Sequence, residues 1–484
     1  MKSLNKKIEK LKLSDVQIEG ICFIRSVLEK RKAVYLADAP GFGKTLQAIA
    51  VMSELKAKKV IYVCPKSLIP QIKEVFGGFP DIMDGISVEI VGYTDFRNYE
   101  FAEIYSKRKY DLCILDEAHS VKNQINGGLT FYDFTKQIFQ EIKKEIQENH
   151  NRKKKKKIEF VIQTVGTYYA VRGSKKFLYM SGTAMTKDIR DLFIFLRLAG
   201  HEFAWTADEG SLAYYQFCKS FMKVKRSPFG TSFYGIKKNM EEVFQDGIKE
   251  VLLRREHADE TNEALRVKPT IYKNIPIAEN KIMKSAEKYV REKLEKASGV
   301  DLSDPKSMEF LLNEIPGFES FSAFRESQGF VKIKTVVRTI KKDKLKKFIL
   351  FTFHKKIAES YLMDLREAGL SNIYLITGKT PLKRRFEIVS KLNKLDEAVI
   401  ISTYGAIGTG FDLNKFRFLL RTEYDWSLAI YDQSEGRIQR KGSGLQPVVY
   451  DFLAPSGAEV YLLKVLTEKR ISADLLRKKN LENI

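Results

Sequence analysis

At 484 residues the chain is long enough for two or three domains with sizeable cores. Its composition, 44% apolar and 30% charged, describes a soluble globular protein, and no apolar run is long enough for a transmembrane helix. Lys and Arg number 84 against 61 Asp and Glu, and the resulting net charge of +23 points to a polyanionic partner without naming it.

The start, Met1-Lys2-Ser3-Leu4-Asn5-Lys6-Lys7, lacks the apolar core of a secretory signal. An intracellular location is therefore expected: the cytoplasm of a bacterium or host cell, or the nucleus if the source is eukaryotic. Cys22, Cys64, Cys113 and Cys218 are widely spaced, which fits buried thiols in a reducing compartment better than a zinc site.

Leu11 to Gly20 opens an amphipathic helix that continues through Ile24 and Leu28. Gln17 on it is either a surface residue or a reader of an adenine edge. Ala33-Val34-Tyr35-Leu36 reads as a strand running into Asp38-Ala39-Pro40-Gly41-Phe42-Gly43-Lys44-Thr45, with helix-like Leu46 to Met52 behind. This strand–loop–helix setting suits a phosphate loop. Gly41 and Gly43 let backbone amides turn inward, Lys44 supplies charge to the β- and γ-phosphates, and the Thr45 hydroxyl can ligate Mg²⁺. The strict pattern wants glycine where Asp38 stands, so taken alone the stretch also reads as an ordinary glycine turn.

Val60 to Cys64 is a second strand, closed by Pro65. Lys66 and Ser67 after it offer a charge, a hydroxyl and backbone amides where a nucleic-acid phosphate can dock. Val91-Gly92-Tyr93-Thr94 reads as a strand end with the same potential at Thr94. Leu112-Cys113-Ile114-Leu115 is the continuous apolar run of a buried parallel strand. At its carboxyl end Asp116 can hold Mg²⁺ and Glu117 can polarise the attacking water. A solvated acidic turn is the competing reading, but it leaves the upstream Gly-Lys-Thr unexplained. Together the motifs predict a nucleoside triphosphatase.

Farther on, Phe134, Ile138, Ile142 and Ile146 recur every four residues, predicting a helix with an apolar stripe. The basic run Arg152 to Lys157, with Lys153, Lys154 and Lys155 at its heart, is a solvated loop, a DNA-backbone contact or a nuclear-import signal. Ile158 to Ile162 reads as a short returning strand. Phe177 to Met180 is another strand, ending in the polar turn Ser181-Gly182-Thr183.

LADAPGFGKT, LDEAH and MSGTA, in that order, resemble motifs I, II and III of superfamily 2 helicases, and most closely the SNF2-like branch, whose phosphate loop typically begins with aspartate. Gln17 matches the upstream glutamine motif, Val63 to Leu68 resembles motif Ia, and Val251-Leu252-Leu253-Arg254-Arg255 resembles that branch's Leu-Arg-Arg segment. The second half carries similar counterparts: Phe348 to His354 (motif IV), Tyr374 to Thr380 with Arg384 and Arg385 behind it (motif IVa), and Ser402 and Thr403 leading to Gly410 (motif V). Gln433 to Gly442 is similar to motif VI, whose usual glutamine after Arg-x-Gly is Ser443 here.

The resemblance implies an α/β fold of two RecA-like parallel-sheet domains in tandem with helical insertions. Residues 1–258 are expected to form the ATP-binding domain, with a basic insertion at about 128–165 and a helical protrusion at about 200–248. Residues 259–330 are expected to be linker and helical insertion, and 331–484 the second RecA-like domain. The resemblance further implies ATP and Mg²⁺ as cofactors, with Asp38 and Gly410 among the nucleotide contacts. Arg437 and Arg440, otherwise a surface pair on a helix, become candidate arginine fingers. His354, Thr380, Ser402 and Thr403 become candidate nucleic-acid contacts, and Ser181, Gly182 and Thr183 candidate couplers of the two activities. The implied function is a DNA-dependent ATPase acting on duplex, forked or four-way-junction DNA. Such a motor is expected to be monomeric and free of membrane, with replication or repair proteins as further partners. An RNA-directed helicase and a non-catalytic DNA-binding scaffold are the alternatives on the same fold.

Overall fold

The computed structural model describes residues 6–122, 152–185, 188–204, 211–227, 230–255, 270–278, 318–407, 413–424, 428–439 and 444–454, with residues 140, 144, 268, 411, 459, 462–463 and 466–467 besides. The chain divides into two compact units, Val267–Glu468 forming the second, and the first of the two breaks falls inside the stretch read as linker.

The strands of the first unit are β1 (Ala33–Leu36), β2 (Lys59–Cys64), β3 (Ser87–Gly92), β4 (Leu112–Asp116), β5 (Lys176–Met180), β6 (Met222–Ser227), β7 (Gly230–Ile236) and β8 (Leu252–Leu253). Six of them form one sheet in the order β3-β2-β4-β5-β1-β8, every neighbouring pair parallel. β1 and β4 are buried along their whole length, which is why they read as unbroken apolar runs. The parallel arrangement brings the ends of β1, β4 and β5 to one edge, where open α/β sheets bind ligands.

Residues 152–171 form one helix rather than a basic loop followed by a strand. A short apolar run cannot by itself distinguish strand from helix; here burial of Ile162, Val165, Tyr168 and Tyr169 fixes the helical period. Gly166 lets that helix lie against the backbone of Phe96, whose carbonyl oxygen would be 1.9 Å from an added Cβ. The helix predicted around Phe134 to Ile146 falls outside the described residues. The stretch predicted as a helical protrusion also carries a hairpin, antiparallel β6–β7.

The second unit contains β9 (Ile271–Pro276), β10 (Lys347–Thr352), β11 (Ile373–Ile376), β12 (Ala398–Thr403), β13 (Phe418–Arg421) and β14 (Val448–Leu453). Their order is β11-β12-β10-β13-β14-β9, again parallel throughout. The period of two splits the core: Phe348 and Leu350 pack with Val399 and Ile401, while Ile349 and Phe351 pack with Ala398 and Ile400 on the other face. Helices Phe318–Lys342 and Lys355–Glu367 cover the first face, and Leu382–Asn393 the second. Edge strand β9 comes from residues read as linker. Among the described residues no helix is long and apolar enough to cross a membrane.

Candidate functional site

The loop after β1 turns on two glycines with left-handed backbone, Gly41 at φ 94° and Gly43 at φ 71°. Gly43 caps helix Lys44–Glu54, so the amides of that helix's first turn face the loop. The glycine is required by its φ, and an added Cβ would also sit 2.2 Å from Gln17 Nε2 and displace that side chain from the loop. Lys44 Nζ folds over the loop, donating to the carbonyls of Asp38 at 2.6 Å and Ala39 at 3.1 Å.

Two residues assigned to nucleotide contact have other work. Gln17 accepts from the Ser14 N–H at 3.0 Å, capping its own helix, and donates to the Phe42 carbonyl at 3.1 Å. It therefore braces the loop. Asp38, fully buried, accepts two side-chain hydrogen bonds from Arg255, Nε to Oδ1 at 3.0 Å and Nη2 to Oδ2 at 2.6 Å. Arg255 also donates from Nη1 to the Val16 carbonyl at 2.5 Å, so one guanidinium ties the loop, the end of β8 and the first helix together.

Asp116 ends β4 beneath the loop. Tyr62 of β2 donates to its Oδ2 at 2.7 Å, the Glu117 N–H donates to Oδ1 at 3.0 Å, and Tyr93 holds its backbone carbonyl at 2.8 Å. The Thr45 side chain lies near the Tyr62 hydroxyl as well. Burial pushes the Asp116 carboxyl up to about 6, and the Glu117 charge adds to this. The Tyr62 hydrogen bond and the Lys44 charge pull the other way.

Glu117 itself takes a left-handed backbone, φ 52°, which turns its side chain toward the end of β5. There the Ser181 hydroxyl lies 3.3 Å from Glu117 Oε2 and 2.9 Å from His119 Nδ1, and it accepts from the Thr183 N–H at 3.1 Å. Gly182 packs on Pro40, where an added Cβ would lie 3.1 Å from the proline ring. The expected coupling turn thus touches both the acidic pair and the phosphate loop. Tyr62, Tyr93, His119 and Arg255 are the partners the motif reading did not assign.

Lys66 and Thr94 lie at the ends of the adjacent strands β2 and β3. Thr94 is exposed, and Lys66 is paired with Asp95 across Gly92, whose missing side chain makes room for it. Ser67 sits with Lys66 in the short turn Lys66–Leu68. Lys153, Lys154 and Lys155 lie on the first turn and a half of helix Arg152–Val171, and their side chains are outside the described residues.

In the second unit, His354 Nδ1 lies 2.6 Å from Glu423 Oε1, and Glu423 Oε2 accepts the Phe353 and His354 amides at 3.0 and 2.9 Å. Thr380 accepts from the Thr377 N–H at 3.1 Å, and its carbonyl takes Arg385 Nε at 2.7 Å. Ser402 is buried, and Thr403 begins the turn Tyr404–Ala406. Arg437 is buried and donates to the Phe411 carbonyl at 3.4 Å. It stands in the turn after helix Leu428–Glu435, not on a helix as its spacing to Arg440 suggested. Arg440 and Gly410 lie outside the described residues.

Burial pushes the Cys64, Cys113 and Cys218 thiols up, so they pack as apolar groups. Among the described residues no cluster of three or more His, Cys, Asp or Glu is arranged to hold a metal.

Residues 10–150 match the family model described as "Type III restriction enzyme, res subunit", and residues 331–442 match "Helicase conserved C-terminal domain". A relative from Caenorhabditis elegans, named a homolog of "SWI/SNF-related matrix-associated actin-dependent regulator of chromatin subfamily A-like protein 1", is 22% identical over 96% of this chain and 63% of its own length. The protein of that name from Drosophila melanogaster is 22% identical over 95% of this chain and 55% of its own. The chain therefore spans little more than half the length of these relatives. The solved SWI2/SNF2 ATPase core of Sulfolobus solfataricus in complex with dsDNA is 17% identical, covering 96% of this chain and 92% of that one, at a TM-score of 0.39. The two matched domains and these relatives make the chain similar to the SNF2-like superfamily 2 helicases and translocases.

Proposed function

We propose that the chain couples ATP hydrolysis to movement along duplex or branched DNA. The carrying observation is the convergence of Lys44, Asp116–Glu117 and Ser181 on one edge of the first sheet, with Lys44 hydrogen-bonded to the phosphate loop and Glu117 to both Asp116 and Ser181. The residues present fit Mg²⁺-ATP. Two left-handed glycines and a helix N-terminus form an anion cradle, and a carboxyl held up to about 6 gains from a nearby cation.

Bound Mg²⁺-ATP supplies the electrophilic γ-phosphoryl group. Lys44 leaves the carbonyls of Asp38 and Ala39 to meet the phosphates, and Thr45 and Asp116 are the residues that would hold the metal. Glu117 orients the attacking water and draws off its proton. Because Ser181 reads Glu117 directly, a change in the water site is passed to the turn Ser181–Thr183, which touches the phosphate loop through Gly182. Arg437 and Arg440 are proposed to act on the γ-phosphate as arginine fingers. Lys66, Ser67, Thr94, His354, Thr380, Ser402, Thr403 and the lysines Lys153 to Lys155 are proposed to meet the DNA backbone. A role in fork remodelling, branch migration or strand annealing fits a motor of this kind, acting as a monomer inside the cell.

Hydrolysis measured across single-stranded, duplex, forked and four-way-junction DNA and RNA tests the reading. Duplex and branched DNA should stimulate more than single strands. Stimulation by RNA alone would replace DNA with RNA as the track, and no stimulation by any nucleic acid would leave a scaffold.

The acidic site adds a pH expectation. With Asp116 near 6, protons compete with Mg²⁺ as the pH falls through that value, so the Mg²⁺ needed for half-maximal hydrolysis rises, by about tenfold per pH unit below it. Tyr62→Phe removes a hydrogen bond that favours the carboxylate, so the rise should begin at higher pH. Identical Mg²⁺ curves for Tyr62→Phe and wild type between pH 5.5 and about 8 would contradict the assigned role of Asp116.

A further inference from the structure

Between Glu209 and Glu241 the chain carries Lys219, Lys223, Lys225, Arg226, Lys237 and Lys238 and no acidic residue. Lys223, Lys225 and Arg226 are on β6 of the hairpin β6–β7 and the other three flank it in sequence; the base of the hairpin is rooted in the first core through Phe221, Met222 and Ile236. Phe221 packs there against Phe203 and Phe244, with ring centroids 4.8 and 5.3 Å away.

The register contains one irregularity. Met222 pairs with Ile236 and Lys223 with Tyr234, so Gly235, at φ 49°, is an extra residue on β7. This is a glycine bulge. In a regular strand Tyr234 would share the buried side of Ile236, two residues on. The bulge turns it outward instead: Ile236 is 7% exposed and Tyr234 45%. Its cross-strand neighbour Lys223 is exposed as well. An exposed tyrosine alone is ordinary; one re-aimed by a bulge to stand opposite a lysine, on an acid-free hairpin, is a specific arrangement.

We propose that this hairpin is a further DNA-contacting element, and that Lys223 and Tyr234 receive an unpaired strand, the lysine on a phosphate and the tyrosine stacked on a base. A cation beside an aromatic face is the pairing that holds single strands without regard to sequence. A contact to intact duplex needs the charge but has no exposed base for the ring. The inference rests on the reading that the chain acts on DNA, and it gives that reading a preference for forks and junctions, where a strand is unpaired.

The test is nucleotide-free binding of the full chain to labelled single-stranded, forked and blunt duplex DNA. Tyr234→Ala should weaken single-stranded and forked DNA about fivefold or more, Tyr234→Phe should retain the affinity, and blunt duplex should change by less than about twofold. Replacing Lys223, Lys225 and Arg226 with serine should flatten the slope of log K against log salt on single strands by about 0.7 per lost contact. DNA-free hydrolysis should be unchanged in all of these variants. Tyr234→Ala binding all three DNAs like wild type, or losing blunt duplex equally, would overturn the inference. Binding is read without hydrolysis, so a wild-type protein whose hydrolysis ignores DNA would refute the proposed motor while this comparison still decides the hairpin.

Discussion

Lys44→Ala and Glu117→Gln should each abolish DNA-stimulated ATP hydrolysis while leaving the fold and DNA binding in place. In the resting loop the Lys44 ammonium donates to the carbonyls of Asp38 and Ala39 at 2.6 and 3.1 Å. Alanine removes the charge that meets the phosphates but opens no core cavity, because the side chain is only half-buried. Glutamine at position 117 is isosteric and keeps the contact to Ser181, yet it cannot accept a proton. Loss of a positioned general base costs about 10²–10⁴ in rate. Phosphate release from purified variants, compared with thermal melting, reads both parts. Turnover within tenfold of wild type in Lys44→Ala would contradict the site.

A large structural effect is expected at Arg255, which the motif reading placed only in a family segment. Asp38 is fully buried and Arg255 about 5% exposed, so Asp38 without Arg255 has no solvent to turn to, and Arg255 without Asp38 keeps only the half-exposed Glu19 at 3.7 Å. Breaking such a pair from one side costs about 3–5 kcal/mol. For a unit of this size that is a fall in melting temperature of about 6–20 °C. Arg255→Met and Asp38→Ala should each show it, and Arg255→Met should also weaken nucleotide binding by loosening the loop. The double variant Asp38→Asn/Arg255→Met buries no unpaired charge and should recover much of the loss. Additive losses in the double variant would mean that the pair contributes only packing.

The parts of this molecule that were legible in the sequence are those in which one residue carries its own chemistry. The glycine turn at Gly41 and Gly43 and the helix start at Lys44 are legible because such a loop is contiguous, and the position of Asp116 because it closes an apolar strand. The partners of these residues were not legible, because they lie at a distance along the chain. Asp38 and Arg255 are 217 residues apart and meet only because β8 joins the sheet beside β1. Tyr62 reaches Asp116 because β2 and β4 are neighbours, a fact of strand order that no local pattern holds. Asp38 was therefore placed on the nucleotide, when its carboxylate is taken by Arg255. The helix Arg152–Val171 was missed for a different reason: Ile158 to Ile162 is too short an apolar run to show its period, and Gln163, which ties Arg97 to the Ser120 carbonyl, is a buried polar residue inside it. The hairpin bulge at Gly235 is invisible in sequence because it exists only relative to the partner strand.

Hydrolysis is proposed to drive movement along DNA without requiring the strands to part. At a fork or junction each base pair broken is matched by one formed, so the net pairing energy is near zero, whereas plain unwinding opposes about 1.4 kcal/mol of stacking per step. Displacement of a triplex-forming strand from an intact duplex, followed with ATP and with a non-hydrolysable analogue, measures this most directly. The expected result is ATP-dependent release of the third strand, no release with the analogue or with Glu117→Gln, and poor unwinding of a long tailed duplex. Vigorous unwinding of the tailed duplex, with the triplex left intact and hydrolysis indifferent to blunt duplex, would contradict it.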